Sequence, residues 1–274
     1  MRVANGQIAG MENENIIRLS IFFGLFVVFA LVEFLIPRRK RVQSRAKRWT
    51  TNWAISFINT GAIYLMGLLM PLLAVGAAYD AAANGWGLFN ALGWPGWLEI
   101  ILAVLILDFA IWFQHLITHK IPFLWRFHRV HHSDRDLDVT SALRFHPIEI
   151  AFSMALKIGL VYLLGPAGLA VVLFEIILNG TAMFNHANMR LPKRLDAVVR
   201  TVLVTPDMHR VHHSDIRAEH DSNYGFAMSV WDRIFRTYNA QPAKGHEEMT
   251  VGLRWQDDNP AKLLWALKLP ADKL

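Results

Sequence analysis

The chain contains no cysteine, and this absence excludes several kinds of metal and redox site. Disulfides, cysteine-ligated iron–sulfur clusters, haem-thiolate sites and cysteine-type zinc sites all need a sulfur ligand. Any metal that this protein binds must therefore be held by histidine, aspartate or glutamate.

Charged residues are also scarce, since they make up only 18% of the 274 residues, below the roughly 25% of soluble domains. Hydrophobic residues account for 54% of the chain, including 17 Phe and 10 Trp. This composition is typical of membrane proteins. The net charge of +6 comes without a nucleic-acid-binding pattern, so we expect no nucleic-acid partner and infer that the basic residues meet anionic lipid headgroups.

Long apolar runs predict an all-α integral membrane protein with about four transmembrane helices, or with three and a helical hairpin. Eighteen residues of helix cover about 27 Å, close to the thickness of the hydrocarbon core. The basic segment after the first run is a stop-transfer pattern and not the end of a signal peptide. The runs are Leu19–Ile36, Trp53–Tyr79 with a bend at Pro71, about Trp97 to Phe113, and Ile148–Phe184, which Gly165-Pro166-Ala167-Gly168 divides into two arms.

The distribution of Lys and Arg predicts the orientation of these helices. Seven Lys and Arg lie within residues 38–48, whereas residues 79–97 contain none. The positive-inside rule then places the basic loop in the cytosol. The domains predicted in this way are a non-cytosolic segment 1–18, membrane helices within 19–114 with the basic loop 37–52, and a region 115–274 with the hairpin 148–185 and a cytosolic helical cap.

Further features are expected within the membrane or at its surface. Pro260–Pro270 has the pattern of a short amphipathic helix on the membrane surface. For Glu175 and Asn179, inside an apolar run, a functional role and a hydrogen bond within the hairpin are equally compatible with the sequence. Three tryptophans are interpreted as interfacial anchors, namely Trp94, Trp97 and Trp125.

The twelve histidines all fall on the side predicted to be cytosolic, although the orientation was assigned without them. The heptapeptide HRVHHSD occurs twice, at His128–Asp134 and at His209–Asp215. On a helix, positions i, i+3 and i+4 share a face, so each copy presents three imidazoles from one turn. His115 and His119, in HLITH, are spaced i and i+4 in the same way. These eight convergent donors exceed the four to six ligands of one ion and predict two metal ions.

We expect each HRVHH copy to form half of this dinuclear site, with the HLITH pair and single histidines completing it. His146 and His186 flank the hairpin on the same membrane face and are included as ligands. His220 and His246 lack a spaced partner and are interpreted as surface residues. The predicted ligands are His115, His119, His128, His131, His132, His146, His186, His209, His212 and His213.

No catalytic residue beyond these ligands is assigned from the sequence. Carboxylates and amides beside the histidines are candidates for orienting the imidazole rings, but they could equally be solvated loop residues or helix caps. These candidates are Asp134, Glu149, Asn185, Asp207, Asp215 and Asn223.

HLITH and the two HRVHH copies resemble the fatty acid hydroxylase/sterol desaturase superfamily, which is marked by HxxxH, HxxHH and HxxHH boxes. The similarity extends from about Arg48 to the C-terminus through RFHPIE, FNHAN and SNYGFAMSVWDRIFRTY. One departure is Arg236, where relatives commonly have glycine. The family's boxes correspond to the eight clustered histidines, and its isolated histidines correspond to His186 and His146.

This resemblance implies a membrane-bound, non-haem di-iron oxygenase with two iron ions, for which zinc can substitute in purified protein. Such an enzyme hydroxylates or desaturates a C–H bond of a membrane lipid, fatty acyl or sterol-like substrate with O2. We expect electrons from a separate donor, such as a ferredoxin or a cytochrome with its reductase, since no haem domain is fused to the chain. A bacterial inner membrane is expected, or the endoplasmic reticulum if the protein is eukaryotic.

Two other classes of protein remain open from the residues alone. A metal-binding or metal-transport membrane protein would use the same ligands without turnover, although transporters place polar ligands near the bilayer midplane. A zinc hydrolase is disfavoured, because HExxH is absent and a catalytic zinc site needs three protein ligands. The sequence leaves open which lipid and carbon are oxidised, and the oligomeric state.

Overall fold

A computed structural model describes residues 2–69 and 73–273, with side chains for residues 14–68 and 73–273. Helix makes up 69% of it, and the described residues form no strand. The helices are α1 (Arg2–Leu35), α2 (Arg45–Leu69), α3 (Ala74–Asn84), α4 (Leu88–Leu92), α5 (Gly96–Lys120), α6 (Pro122–His132), α7 (Pro147–Leu164), α8 (Gly168–His186), α9 (Lys193–Val199), α10 (Pro206–His212), α11 (Arg217–His220), α12 (Val230–Ile234), α13 (Gly245–Glu248) and α14 (Leu263–Lys268).

Within the described residues, four helical segments are long and apolar enough to cross a membrane, which confirms the predicted fold class. They are Glu14–Leu35 within α1, and the helices α5, α7 and α8. The first helix starts at Arg2, well before the start at Leu19 that the apolar run predicted.

The predicted second span, Trp53–Tyr79, corresponds instead to parts of α2 and α3 and is not one of the four segments. In the described part of this region, α2 carries buried polar side chains that bind the loop before α7. Asn52 donates a hydrogen bond to Thr140 Oγ1 (3.0 Å), and Asn59 donates to the carbonyl of Phe145 (2.9 Å). Pro71, where a bend was predicted, lies outside the described residues.

The apolar block 148–184 is a hairpin of two helices, α7 and α8, as its central Gly-Pro segment predicted. Gly165 ends α7 in the left-handed conformation (φ +62°). Gly87 lies so close to this turn that a Cβ atom on Gly87 would be 2.3 Å from the Gly165 nitrogen. Glu99 accepts a hydrogen bond from the Ala167 nitrogen (2.6 Å). The turn therefore lies beside the start of α5, at the end of the bundle opposite to His119.

Buried charges join the membrane helices near the middle of α8. Glu175 accepts hydrogen bonds from Lys157 of α7 (2.7 Å) and from Arg18 of α1. Asn179 donates to the backbone carbonyl of Glu175 (2.8 Å). Neighbouring helices thus satisfy these polar groups, as such groups require inside a membrane, and the interpretation as structural hydrogen bonds is favoured for both residues.

The other end of the bundle, where α5 and α8 finish, is covered by α6, α10 and the loops around them; we call it the histidine end. Arg48 is fully buried there and binds Asp134 (2.6 and 2.7 Å) and Asp138 (2.5 Å). Burial raises the pKa of Asp134, but Arg48, Arg144 and a hydrogen bond from Ser141 together lower it to about 2. This ion pair fixes the loop after the first HRVHH copy to α2.

The predicted amphipathic helix near the C-terminus is found as α14, with a 3-10 turn on either side. Its buried face places Ala266 and the following Leu269 against Ile55 of α2 and Val130 of α6. Leu264 on the opposite face is exposed. This helix therefore packs on the histidine end and leaves one apolar face open.

Candidate metal centre

Four helices bring the histidines together, and local sequence explains where the two shortest of them begin. Each HRVHH copy lies on a helix that has proline at its first position, Pro122 in α6 and Pro206 in α10. Proline suits this position because its missing N–H would be unpaired there in any case. Thr205 caps α10 by accepting a hydrogen bond from the Met208 nitrogen (3.4 Å). The remaining histidines end α5 and α8.

Nine of the ten predicted ligands form two buried groups, and within each group the ligand atoms lie within 4.8 Å of one another. Each group could hold a metal ion. Group A contains His115, His119, His128, His132 and His212, and group B contains His131, His186, His209 and His213.

Each HRVHH copy contributes to both groups. The first copy gives its outer histidines, His128 and His132, to group A and His131 to group B. The second copy does the reverse, because His212 joins group A whereas its outer histidines join group B. The rings of His132 and His213 stack across the boundary, with centroids 4.4 Å apart. The two copies are therefore interleaved, and each supplies part of both groups.

The hydrogen bonds of group A leave lone pairs facing one another. A carbonyl oxygen can only accept, so His115 and His212 donate their Nδ1 protons to the carbonyls of Tyr224 (2.7 Å) and Ser222 (2.6 Å). In a neutral imidazole the other nitrogen, Nε2, then carries a lone pair. The Nε2 atoms of His115 and His212 are only 3.0 Å apart. A cation bound between them would turn this repulsion into ligation, so the donor set fits a metal ion.

Group B has the same arrangement. His186 donates its Nδ1 proton to the carbonyl of Ala182 (2.6 Å), which leaves a lone pair on Nε2. That Nε2 atom is 3.1 Å from the Nε2 atoms of both His131 and His209. His213 Nε2 lies 3.2 Å from His209 Nε2. Four nitrogens thus converge on one point.

Five of the candidate ligands outside the membrane helices are held neutral. Burial lowers the pKa well below its usual value, and repulsion between neighbouring imidazoles lowers it further. This applies to His131, His132, His209, His212 and His213. Neutral imidazole is the form that binds metals, so the protein environment favours the ligating form.

Two carboxylates contact candidate ligands. Glu149 accepts a hydrogen bond from His128 Nδ1 (2.6 Å), which turns Nε2 of that ring toward group A. Asp221 lies 3.5 Å from His119 Nδ1. Glu149 was among the polar candidates in the sequence, whereas nothing in the sequence indicated Asp221.

Other neighbours of the histidines were missed by sequence reasoning. The acceptors for His115 and His212 are backbone carbonyls, which have no signature in a sequence. Trp125 was interpreted as an interfacial anchor, but its ring contacts those of His119 (centroids 4.9 Å apart) and His132 (5.3 Å). Its place on α6, three residues before His128, is the signal that could have indicated this contact.

His146 lies outside both groups. Its Nδ1 atom accepts a hydrogen bond from the Ile148 nitrogen (3.2 Å) and so caps α7. Its Nε2 atom faces the carbonyl of Leu267 at 3.3 Å. Because backbone groups engage both ring nitrogens, we leave His146 out of the ligand set.

His220 and His246 are buried, contrary to their interpretation as surface residues. The segment after the second HRVHH copy folds back over the histidine end and encloses them. His220 binds the Ser214 carbonyl (3.1 Å) and stacks on Trp125, with ring centroids 5.5 Å apart. Neither histidine belongs to group A or group B.

Four of the remaining polar candidates bind partners outside the two groups, and the fifth is exposed to solvent. Asp134 binds Arg48, as described above, and Asp207 binds Arg38 (3.1 Å). Asn185 donates to the Phe226 carbonyl (2.8 Å), and Asn223 donates to the Met208 carbonyl (2.9 Å). Asp215 is exposed. None of these side chains contacts a ligand ring through a hydrogen bond.

Four apolar helices with nine convergent imidazoles at one end indicate a membrane protein with two histidine groups that could hold metal ions. Residues 100–237, half of the chain, match the family model described as fatty acid hydroxylase. The chain belongs to this family. The resemblance seen in the histidine boxes is thereby confirmed.

Curated relatives carry names of lipid-oxidising enzymes. The ornithine lipid hydroxylase OlsE of Rhizobium tropici is 29% identical over 235 residues, which are 84% of this chain and 70% of the relative. Human alkylglycerol monooxygenase is 30% identical over 208 residues (73% and 43%). A cholesterol 25-hydroxylase-like protein of Danio rerio is 26% identical over 238 residues (80% and 87%).

The chain spans less than half the length of the alkylglycerol monooxygenases that it matches. No solved structure matches it. Family membership and the names of the relatives support an oxygen-dependent lipid oxidoreductase.

Proposed function

We propose that the chain is a membrane-bound, non-haem di-iron oxygenase that hydroxylates, or desaturates, a C–H bond of a lipid. In hydroxylation, one atom of O2 enters the C–H bond and the other leaves as water, with two electrons and two protons supplied from outside. Irons held by groups A and B would supply the oxidant for an unactivated C–H bond. The observation that carries the proposal is the pair of adjoining, buried imidazole groups with facing lone pairs.

Residues of the chain orient the imidazole rings of this site and shield it from water. Glu149 fixes the tautomer of His128, and backbone carbonyls fix those of His115 and His212, so that Nε2 of these rings points inward. Phe145 stacks on His131 (ring centroids 4.2 Å apart), and Phe226 contacts His115 (4.8 Å). These aromatic rings exclude water from the inner side of both groups.

The partners follow from the same proposal. The substrate is a membrane lipid, fatty acyl or sterol-like molecule, and the electrons come from a separate donor such as a ferredoxin or a cytochrome with its reductase. The basic loop 37–52 and the histidine end lie on the cytosolic side, in a bacterial inner membrane or in the endoplasmic reticulum of a eukaryote. The cytosolic side agrees with the positive-inside rule.

A metal-binding or transport protein without turnover is the alternative. Transport requires ligands along a path near the bilayer midplane. Here the nine imidazoles lie at the end of α5 and α8, away from the hairpin turn. This placement favours catalysis at the membrane face.

The decisive experiment measures metal content and product in the same preparation. We expect about two irons per chain after gentle extraction in detergent, because each group offers enough ligands for one ion. His131→Ala should remove the metal of group B and His132→Ala that of group A, although the two residues are adjacent in sequence. Membrane lipids incubated with the wild-type protein should gain oxygen, or a double bond, only when O2 and a reductant are present.

The matched control is His146→Asn, which retains an N-cap side chain on α7 but removes an imidazole outside both groups. It should keep both metals. Less than one metal per chain, unchanged in the two alanine variants, would contradict the dinuclear centre. Two metals with no O2-dependent product would favour the metal-binding alternative.

A further inference from the structure

A cavity of about 370 Å³ lies beside group A at the histidine end, and its wall includes His119. Ligand-binding pockets in proteins begin at about this size. Trp125, which contacts the rings of His119 and His132, forms another part of the wall. The cavity therefore reaches from the surface of the protein to the proposed metal ligands.

The wall of this cavity combines apolar and cationic side chains. Pro122, Trp125, Leu253 and Trp255 supply apolar surface. The charged lining residues are four cations and one carboxylate, Lys120, Arg129, Arg217, Arg254 and Asp221.

The arginines differ in their freedom to bind a ligand. Arg129 is buried and donates to the backbone carbonyls of Leu269 (2.6 Å) and Asp272 (2.7 Å), so its role is structural. Arg254 is exposed and stacks on Trp255, with its guanidinium 4.7 Å from the ring centroid. Among the described residues it donates one hydrogen bond, from Nη2 to the Lys273 carbonyl (3.1 Å), which leaves its other guanidinium N–H groups without a protein partner. Arg217 is also exposed, with 82% of its side chain accessible and a long 3.6 Å contact to Asp221. Arg217 and Arg254 are therefore available to bind an anion.

The protein surface next to the cavity, on either side of Pro122, is apolar. Ile121 and Phe123, on either side of Pro122 in the chain, are 43% and 66% exposed. Phe123 packs against Phe127 (ring centroids 5.5 Å apart), which in turn contacts the His146 ring at the start of α7. An exposed apolar surface at the end of membrane-spanning helices is suited to contact with lipid. A membrane lipid that contacts this apolar surface would therefore lie next to the cavity.

We propose that this cavity binds the headgroup end of an anionic lipid, with its phosphate or carboxylate at Arg217 and Arg254. The carbons next to the headgroup lie along Trp125 and point toward His119. Guanidinium groups bind phosphate and carboxylate in bidentate fashion, and a guanidinium stacked on an indole ring is held in a defined plane. This inference rests on the proposed function and deepens it: the substrate is an anionic amphiphile that is oxidised close to its headgroup.

An acidic electron donor protein could also be attracted by these cations. The arginines, however, border a concave, apolar-walled cavity that reaches a ligand ring. That shape suits a small amphiphile, and docking of a donor protein is treated as an outcome of the test.

The test measures binding and does not depend on turnover. The purified full chain, loaded with metal in non-ionic detergent, is titrated calorimetrically with dodecyl phosphate, with uncharged dodecyl glucoside and with inorganic phosphate. The Arg217→Gln/Arg254→Gln variant should bind dodecyl phosphate at least about tenfold more weakly, because it loses hydrogen bonds to a charged group. Its binding of dodecyl glucoside should not change. Lys193→Gln/Arg194→Gln, which removes two exposed cations of α9, is the matched control and should bind as the wild type does.

Three outcomes would overturn the proposal. Equal affinity for dodecyl phosphate and dodecyl glucoside would show that the cations do not select the ligand. Equal affinity for inorganic and dodecyl phosphate would indicate a site for free anions. Unchanged dodecyl phosphate binding in the arginine variant, with slower reduction by an acidic ferredoxin, would assign the surface to the electron donor.

The failure of this inference can be distinguished from failure of the proposed function. If the arginines do not select dodecyl phosphate but O2-dependent lipid products form, only the headgroup site is wrong. If dodecyl phosphate binds as expected but no product forms with O2 and reductant, the oxygenase proposal fails instead.

Discussion

At the scale of single residues, the two nitrogens of four candidate ligands have different tasks. In His115, His128, His186 and His212, Nε2 faces the Nε2 atom of another candidate ligand, whereas Nδ1 is engaged by an outer acceptor. Three of these acceptors are backbone carbonyls, and the fourth is the carboxylate of Glu149. Glu149 is therefore the acceptor whose contribution a substitution can measure.

We expect Glu149→Ala to lower the metal affinity of group A about 10- to 100-fold, the usual effect of losing an outer partner of a metal-bound histidine. His128 would lose the carboxylate that orients its ring. Group B, whose rings do not contact Glu149 through a hydrogen bond, should keep its affinity. Competition with a graded series of chelators would measure the two metals separately.

Glu149→Gln is the matched control, because its amide oxygen can still accept the proton of His128 Nδ1. It should fall between the wild type and the alanine variant. Equal loss of both metals in Glu149→Ala would instead indicate that Glu149 stabilises the fold as a whole.

At the scale of elements, two short helices decide how the histidines are divided between the groups. α6 and α10 carry the same HRVHH sequence, but each divides its histidines between both groups. The one departure from the family's motifs, Arg236, has a left-handed backbone (φ +59°). Glycine adopts this conformation without a steric penalty, which explains why relatives commonly have glycine there.

The hairpin turn offers an element-scale prediction. Gly87→Ala should destabilise the protein by more than the roughly 1–2 kcal/mol of placing a side chain at positive φ. Gly87 has φ +95°, and an added Cβ would also collide with the backbone of Gly165. The thermal unfolding midpoint in detergent would show the loss.

Gly85→Ala separates the two causes. Gly85 also has positive φ (+68°), but a Cβ there meets no atom within 4 Å. This variant should show only the backbone penalty. Equal midpoints for the two variants would contradict the close packing of the turn against residue 87.

At the scale of the whole molecule, the proposed orientation can be tested with the cysteine-free chain as it stands. Single cysteines replacing Ser44, Ala83 and Ala218 would each lie at an exposed position. A membrane-impermeant thiol reagent applied to intact bacterial cells that produce the protein in their inner membrane should label Ala83→Cys, because the positive-inside rule places residues 79–97 outside the cytosol. Ser44→Cys and Ala218→Cys should be labelled only after the cells are opened.

The unsubstituted chain is the blank in this assay, since it has no thiol. Labelling of Ala218→Cys in intact cells would place the histidine end outside the cytosol and would exclude a cytosolic electron donor. Labelling of Ser44→Cys but not Ala218→Cys would contradict the shared side of the basic loop and the histidine end.

The sequence by itself determined those features that depend on near neighbours in the chain. Apolar runs long enough to cross a membrane, a hairpin divided at Gly165, and imidazoles at i, i+3 and i+4 all follow from helix geometry. The fold class and the family were therefore readable from local patterns. So was His186, once the boxes around it were recognised.

Only the tertiary structure decided how these parts combine. The division of His131 and His132 between two groups depends on α5 and α8, whose histidines meet α6 in different groups. The use of both His146 nitrogens by backbone groups and the contact of Trp125 with His119 likewise depend on the positions of other elements. These contacts join residues far apart in sequence, and short-range spacing carries no information about them. For that reason the sequence indicated candidate ligands but not their arrangement.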